Sequence, residues 1–314
     1  MRKHLAAIAL ATVIASSALA AAESNSVLRW LPPLFSHSKP AVDGPNGELW
    51  LYGGAGMANA ISTTPITGLS TAREVSRNNF QGISGVMGVI TAPIGHDFGF
   101  QVDLGTGKFE LGVEGSAAGH FFWRNPDMAL VGIYGSGQYW SRYGGKTGWN
   151  IGSELEKYFD QFTIGGTFGA QGFDFYNVEW NPTEPIYNQR TPCNYQPIRF
   201  FDNVSVKYYP HDDLMLKVGH TYTKGDNAVI AGIEYIPEQL RGGVTATALF
   251  VDGAYGWDKS SMIIGGAKIY FGNHDKSLKQ RHREDDPTAG PNYAPENPCS
   301  SKWLSDITHQ KLIR

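Results

Sequence analysis

The sequence predicts an all-β protein, a twelve-stranded antiparallel transmembrane β-barrel. Three observations predict this fold: long segments in which apolar and polar side chains alternate, loops that sort by length, and aromatic residues concentrated near segment ends. Alternation with a period of two places one kind of side chain on each face of a strand. A membrane barrel needs such strands, because one face meets lipid while the other meets the interior.

The clearest segment is a hairpin whose arms are residues 110–123 and 128–141. In the first arm, one face carries Leu111, Val113, Gly115, Ala117, Gly119, Phe121 and Trp123, and the other carries Glu110, Gly112, Glu114, Ser116, Ala118, His120 and Phe122. A turn at residues 124–127 separates the arms, which are about twice the usual strand length. Taken alone, they also fit a long hairpin in a soluble sandwich or lectin.

The rest of the chain favours the barrel. The twelve predicted strands cover residues 48–56, 82–91, 97–104, 110–123, 128–141, 148–158, 162–174, 198–209, 214–223, 228–236, 243–252 and 261–271. A Gly-Thr-Gly turn at 105–107 is expected between the third and fourth. An even count is usual for bacterial single-chain barrels. Turns after even strands are short, whereas the long loops 57–81 and 175–197 follow odd strands, which predicts short periplasmic turns and extracellular long loops.

Aromatic residues are predicted to form a girdle at each membrane interface. The periplasmic girdle would comprise Phe121, Phe122, Trp123, Tyr158, Phe159, Phe162, Tyr208, Tyr209, Tyr235, Tyr270 and Phe271, and the opposite girdle Trp140, Tyr143, Trp149, Phe175, Phe200 and Tyr222.

The chain divides into four predicted regions. Residues 1–22 have the basic start, apolar run and small residues of a signal peptide, which predicts export. Residues 23–46 are expected to be a periplasmic N-terminal leader or, alternatively, to tuck into a barrel mouth, and residues 47–272 are expected to be the barrel. Residues 273–314 are charged and are expected to be a disordered periplasmic tail. The alternative is that this tail tethers the barrel to the cell wall or to a periplasmic partner.

The cysteine positions and the net charge indicate which bonds and partners are not expected. Cys193 and Cys299 fall on opposite sides of the predicted membrane, so no disulfide is expected, and their spacing fits no metal site. The net charge is −3, with basic residues scattered outside the tail, and no nucleic-acid partner is expected. No cofactor is expected either.

Five segments carry a resemblance to a known class. They are H-F-F-W-R-N-P (120–126), V-G-I-Y-G-S (131–136), V-K-Y-Y-P-H-D-D-L-M-L-K-V-G-H-T-Y (206–222), K-I-Y-F-G (268–272) and K-S-L-K-Q-R-H-R-E-D-D-P (276–287). Over roughly residues 80–280 the chain resembles porin-like outer-membrane β-barrel proteins of Gram-negative bacteria, within a poorly characterised group. The resemblance implies an outer-membrane location more than an activity. Autotransporter translocators have similar barrels, but no passenger domain is expected here.

The polar face of each strand is expected to line the lumen. The pore-lining candidates are Asp103, Glu110, Glu114, Glu154 and Glu156 in the N-terminal half, and Lys207, Lys217 and Lys268 in the C-terminal half. One hypothesis is that acidic and basic walls face each other across water and select small polar solutes. The alternative is that these groups pair directly and fill the interior.

The expected function is therefore a porin-like channel for passive diffusion of small polar solutes or ions across the outer membrane. The alternative is a closed structural or surface-interaction barrel that uses its long outer loops. Enzyme activity is not expected. Ser116 and His120 share a strand face, but residues four apart on a strand lie about 13 Å apart, and no hydrolase or metalloprotease motif occurs.

Overall fold

The computed structural model describes residues 38–64, 73–109, 112–140, 146–175, 198–223, 226–242, 245–257, 261–272 and 275–286. The described residues from Lys39 onward form one compact unit. Several predicted features lie outside the described residues: the signal peptide 1–22, leader residues 23–37, loop residues 176–197, Glu110, both cysteines and the tail 287–314.

Twelve long strands form the barrel. They are β1 (Asn46–Thr64), β2 (Arg73–Ile94), β3 (Phe98–Phe109), β4 (Gly112–Asn125), β5 (Ala129–Trp140), β6 (Lys146–Tyr158), β7 (Phe162–Phe175), β8 (Arg199–His211), β9 (Leu214–Thr223), β10 (Asp226–Tyr235), β11 (Thr245–Gly256) and β12 (Ser261–Phe271). Each pairs antiparallel with its sequence neighbour, and β12 pairs with β1 to close the ring. A 3-10 turn (Glu238–Leu240) and a two-residue strand (Arg241–Gly242) precede β11. The predicted twelve-stranded antiparallel barrel is confirmed.

Two predicted loops are wrong. Residues 57–81 were expected to be a long polar loop, but β1 continues to Thr64 and β2 starts at Arg73, in one unbroken register. A transmembrane strand needs only about 9–11 residues, so this polar extension beyond that length carries no alternation signal. The expected turn at 105–107 lies inside β3, where its residues pair with β4.

Alternation along the strands sorts side chains by face. On β5, Val131 and Ile133 are 50% and 63% exposed, whereas Leu130 and Tyr134 are 1% and 3% exposed. The same pattern repeats around the ring, and the outward apolar side chains include Ile90, Leu104, Val113, Phe121, Ile151, Phe168, Val218, Ile233, Leu249 and Ile263. The barrel therefore has an apolar outer wall, as a protein surrounded by lipid requires.

Four residues of the predicted periplasmic girdle face the interior of the barrel, so they are not part of a girdle. Phe122, Tyr158, Tyr209 and Tyr270 are at most 4% exposed and point inward. The cause is strand parity: each sits beside an outward residue, so the two cannot share a face.

The short turns at 95–97, 126–128, 159–161, 212–213 and 236–240 gather at one end of the barrel, here called the plug end. This end is filled by residues 275–286, the plug, which contains the short helix α1 (Leu278–Glu284). Ser277 and Gln280 cap α1 through reciprocal side-chain and backbone hydrogen bonds. The expectation of a disordered tail is thus wrong for the plug, whose buried contacts with the barrel order it. Among the described residues no helix is long and apolar enough to cross a membrane.

Residues 39–45, the latch, also lie at the plug end. Ala41 and Val42 are buried, and the Ala41 N–H donates to the His96 carbonyl oxygen in the turn after β2. Val42 packs with Phe122, Leu130 and Tyr158. The last residues of the predicted leader therefore belong to the closure of the barrel mouth.

Candidate lumen and plug

Three ion pairs lie along the inner wall of the barrel. The Lys207 ammonium lies 3.0 Å from Glu156. Two further pairs join Lys217 to Asp252 at 2.7 Å and Lys268 to Glu234 at 2.5 Å. In each pair the two residues lie on strands separated by one intervening strand. Direct pairing of this kind neutralises the charge that an isolated lysine would project into the lumen.

Glycine on the intervening strand makes one of these pairs possible. Gly232 on β10 lies opposite Lys217 on one side and Asp252 on the other. A Cβ atom at Gly232 would collide with the Asp252 carboxylate oxygen and would lie 3.0 Å from the Lys217 Cε atom. The missing side chain therefore leaves the gap through which the pair meets.

A buried histidine joins two acids on the other side of the lumen. His120 Nδ1 lies 2.7 Å from Glu154, and His120 Nε2 lies 3.2 Å from Asp103. The Tyr134 ring lies 5.0 Å from the His120 ring. All four residues are at most 3% exposed. Among the described residues, no group of three or more potential ligands is placed to hold a metal ion.

A cavity of about 110 Å³ lies between these groups. Its wall includes four acids and three lysines, namely Glu154, Glu156, Glu234, Asp252, Lys207, Lys217 and Lys268, together with Trp50, Tyr134, Thr167, Asn203 and Ser205. Each water needs about 10–15 Å³ of such space and two or more polar partners. The cavity can therefore hold several waters or a hydrated ion.

The plug lies directly below this cavity. Leu278 of α1 is fully buried in a cluster with Tyr209, Met215, Ile236, Ala246, Ala248 and Tyr270. Met215 also lines the cavity. Leu278 therefore anchors the plug in this cluster, here called the plug seat, which lies next to the cavity.

Polar contacts complete this seat. The His282 ring nitrogens lie 3.0 Å from the Tyr209 hydroxyl and 3.4 Å from the Tyr270 hydroxyl. Tyr270 also donates a hydrogen bond to Glu234, the partner of Lys268. Burial lowers the pKa of His282 below its usual value, although the Glu234 carboxylate opposes this.

Lys276 connects the plug to the latch. Its ammonium lies 2.6 Å from Asp285, 3.4 Å from Glu284 and 2.9 Å from Asp43 of the latch. Burial alone would lower the pKa of Lys276, but the surrounding carboxylates raise it above its usual value. Burial raises the pKa of Asp285 to about 6, although Lys276 opposes this. Three acids therefore share one ammonium.

Arg124 at the end of β4 touches both segments. Its Nη1 donates to the carbonyl oxygens of Ala41, at 3.2 Å, and Asp285, at 3.0 Å. Its guanidinium also packs over the Phe122 ring. The far end of the plug is fixed by the Thr91 hydroxyl, which donates to Asp286 at 2.7 Å.

The seven described pore-lining candidates all lie at inward positions. Asp103, Glu154, Glu156, Lys207 and Lys268 are buried; Glu114 and Lys217 are partly buried. The hypothesis of acidic and basic walls facing each other across water is wrong for the three lysines, because each contacts an acid directly. The physical reason is that only one strand separates each lysine from its acid, so the lysine side chain is long enough to reach the carboxylate.

Sequence reasoning missed several partners. Glu234 lies between outward Ile233 and Tyr235, and Asp252 follows outward Val251, so the alternation could have assigned both to the lumen. The plug helix also has a sequence signal, because S-L-K-Q at 277–280 matches a capping box.

A closed antiparallel barrel with an apolar outer wall and a polar interior is a transmembrane β-barrel. The architecture that the resemblance to porin-like barrels implied is thereby confirmed. No family model and no curated protein sequence matches the chain.

Solved structures of similar fold include "KdgM porin", with 8% identity, 72% of this chain and 99% of that chain covered, and a TM-score of 0.42. An outer-membrane channel from Pseudomonas putida F1 has 9% identity, covers 77% and 99% of the two chains, and has a TM-score of 0.45. The translocator domain of autotransporter NalP from Neisseria meningitidis has 11% identity, coverage of 83% and 98%, and a TM-score of 0.44.

Proposed function

We propose that the protein is an outer-membrane channel that passes ions and small polar solutes through its lumen, with the plug end facing the periplasm. The observation that carries this proposal is the charged, polar cavity inside a barrel whose outer wall is apolar. Short turns are typical of the periplasmic end of such barrels, which supports the orientation. The proposal includes no catalytic step.

The balance of charges sets the expected selectivity. Four acids and three lysines line the cavity, and most of them are paired. Pairing leaves only a small excess of negative charge. The channel should therefore prefer cations weakly, rather than select strongly for either sign.

Planar-bilayer recording of the refolded protein tests the proposal, after a gel has shown that the barrel is heat-modifiable and therefore folded. The full chain and a chain truncated after Gly272, which lacks the plug, are both recorded in a salt gradient. Discrete steps from either chain that reverse at a small, cation-selective potential are expected. Folded barrels that give no steps in either form would contradict the channel.

The second candidate is a closed structural or surface-interaction barrel. The direct ion pairs and the plug favour it, because both fill the lumen. Twelve strands lie between barrels of about eight strands, which side chains fill, and barrels of sixteen, which leave channels. The bilayer recording above discriminates the two, since a closed barrel conducts in neither form.

A further inference from the structure

We propose that the plug is a displaceable gate, which the latch locks in its seat through Lys276. This inference rests on the proposed channel function. It names the part of the chain that controls passage and the contact that holds this part closed.

The position of the plug supports a gate. Met215 and Glu234 lie between the cavity and the plug, because both line the cavity and both contact plug residues, Met215 through Leu278 and Glu234 through His282. The plug therefore separates the cavity from the solvent at the plug end. Its departure would connect the two without moving any barrel strand.

The nature of the contacts supports displacement. Leu278 is the one apolar side chain of α1 in the buried cluster. The other contacts of the plug are made by polar and charged side chains, through hydrogen bonds, ion pairs and the packing of Arg281, His282 and Arg283 against tyrosine rings. Water can replace those polar contacts when the plug leaves. A seven-residue helix is not stable alone, so the plug can leave as an extended segment.

The strand pairing that closes the barrel does not include the plug. All twelve strands pair with both neighbours, and β12 closes directly onto β1.

The latch supplies the lock. Lys276 is the plug cation that Asp43 of the latch contacts, and Lys39 of the latch lies 3.1 Å from Glu284 of the plug. The Lys276 side chain is only 5% exposed. Removing its charge would leave Asp43, Glu284 and Asp285 close together without their shared ammonium, so the acids would repel one another.

The first experiment compares the full chain, a chain truncated after Asp286 and a chain truncated after Gly272 in planar bilayers with potassium chloride. The first two retain the plug, and the third lacks it. All three must be heat-modifiable. The chain ending at Gly272 should be open most of the time, whereas the chain ending at Asp286 should resemble the full chain. Equal open fractions in all three would overturn the gate but leave the channel intact. Absence of steps in all three would contradict the channel itself.

The second experiment keeps the chain at full length. Lys276→Met should raise the open fraction by at least about tenfold, because the carboxylates around Lys276 lose the ammonium that they share. Lys279→Met is the matched control, because Lys279 lies on the same segment but pairs with the exposed Asp212. An unchanged open fraction in Lys276→Met, or an equal rise in both variants, would overturn the lock. This comparison decides the matter even if the chain ending at Gly272 does not fold.

Discussion

Replacement of Lys207 by Met should destabilise the barrel through the acid that it leaves behind. Lys207 is 4% exposed and Glu156 is 9% exposed, so their ion pair is shielded from water. Removing one partner of a buried pair costs on the order of 3–5 kcal/mol. The Tyr158 hydroxyl still donates to Glu156 at 3.0 Å. We therefore expect a loss at the lower end, about 3 kcal/mol.

The double variant Lys207→Met, Glu156→Gln should lose less stability than the sum of the two single variants, because no unpaired charge remains. The coupling free energy should be about 2 kcal/mol, within the range for residues in contact. Guanidinium unfolding in detergent micelles, followed by tryptophan fluorescence and by the heat-modifiable gel shift, measures all four members of the cycle. Lys157→Met is the control, since Lys157 is an exposed residue on β6. A coupling near zero, or a loss in Lys207→Met no larger than in Lys157→Met, would refute the reasoning.

Three further predictions concern the plug and the ring. Leu278→Ala should weaken plug seating by about 2–5 kcal/mol, the usual loss for a buried leucine, seen as a higher open fraction; no change would show that the anchor is unimportant. Gly266→Ala should prevent folding or shift β12, because a Cβ there would collide with the Leu51 carbonyl oxygen; a normal gel shift and melting curve would contradict this. The third prediction is a pH dependence with two opposed limbs. Since burial raises the pKa of Asp285 to about 6, its contribution to seating is present at low pH and is lost as the pH rises through 6. Since burial lowers the pKa of His282, its contribution is present above its usual pKa and is lost as the pH falls. As the pH falls from about 7 to 5, the open fraction should therefore rise more steeply in Asp285→Asn than in the unmodified chain, and less steeply in His282→Gln; the same slope in both variants would contradict these assignments.

Strand count and face assignment could be predicted because alternation depends on each strand alone. On β4, the sequence placed Phe121 outward and His120 inward, as the structure does. A polar strand that extends beyond the membrane needs no such alternation, which is why residues 57–81 were expected to be a loop. The position of Phe122 near a strand end predicts a place in the girdle, but its parity along β4 puts the side chain on the inward face.

The contacts inside the lumen could not be predicted in the same way. Whether Lys217 meets Asp252 depends on the registers of three strands and on Gly232 between them. Alternation gives the face of each residue but not its height along the barrel. The ordered plug is even harder to predict, because its order comes from its contacts with the barrel. Only the capping box marks the plug helix in the sequence.

The most direct test of the central claim is the water accessibility of successive residues on one strand. Single cysteines are placed along positions 131–138 of β5, in a chain with Cys193→Ser and Cys299→Ser, and the folded barrels are reconstituted into liposomes. Labelling by a water-soluble maleimide should alternate: Ser136 and Gln138, which face the lumen, should react, and Val131, which faces lipid, should not. Uniform labelling, or labelling in the opposite phase, would contradict a polar lumen inside a lipid-facing barrel.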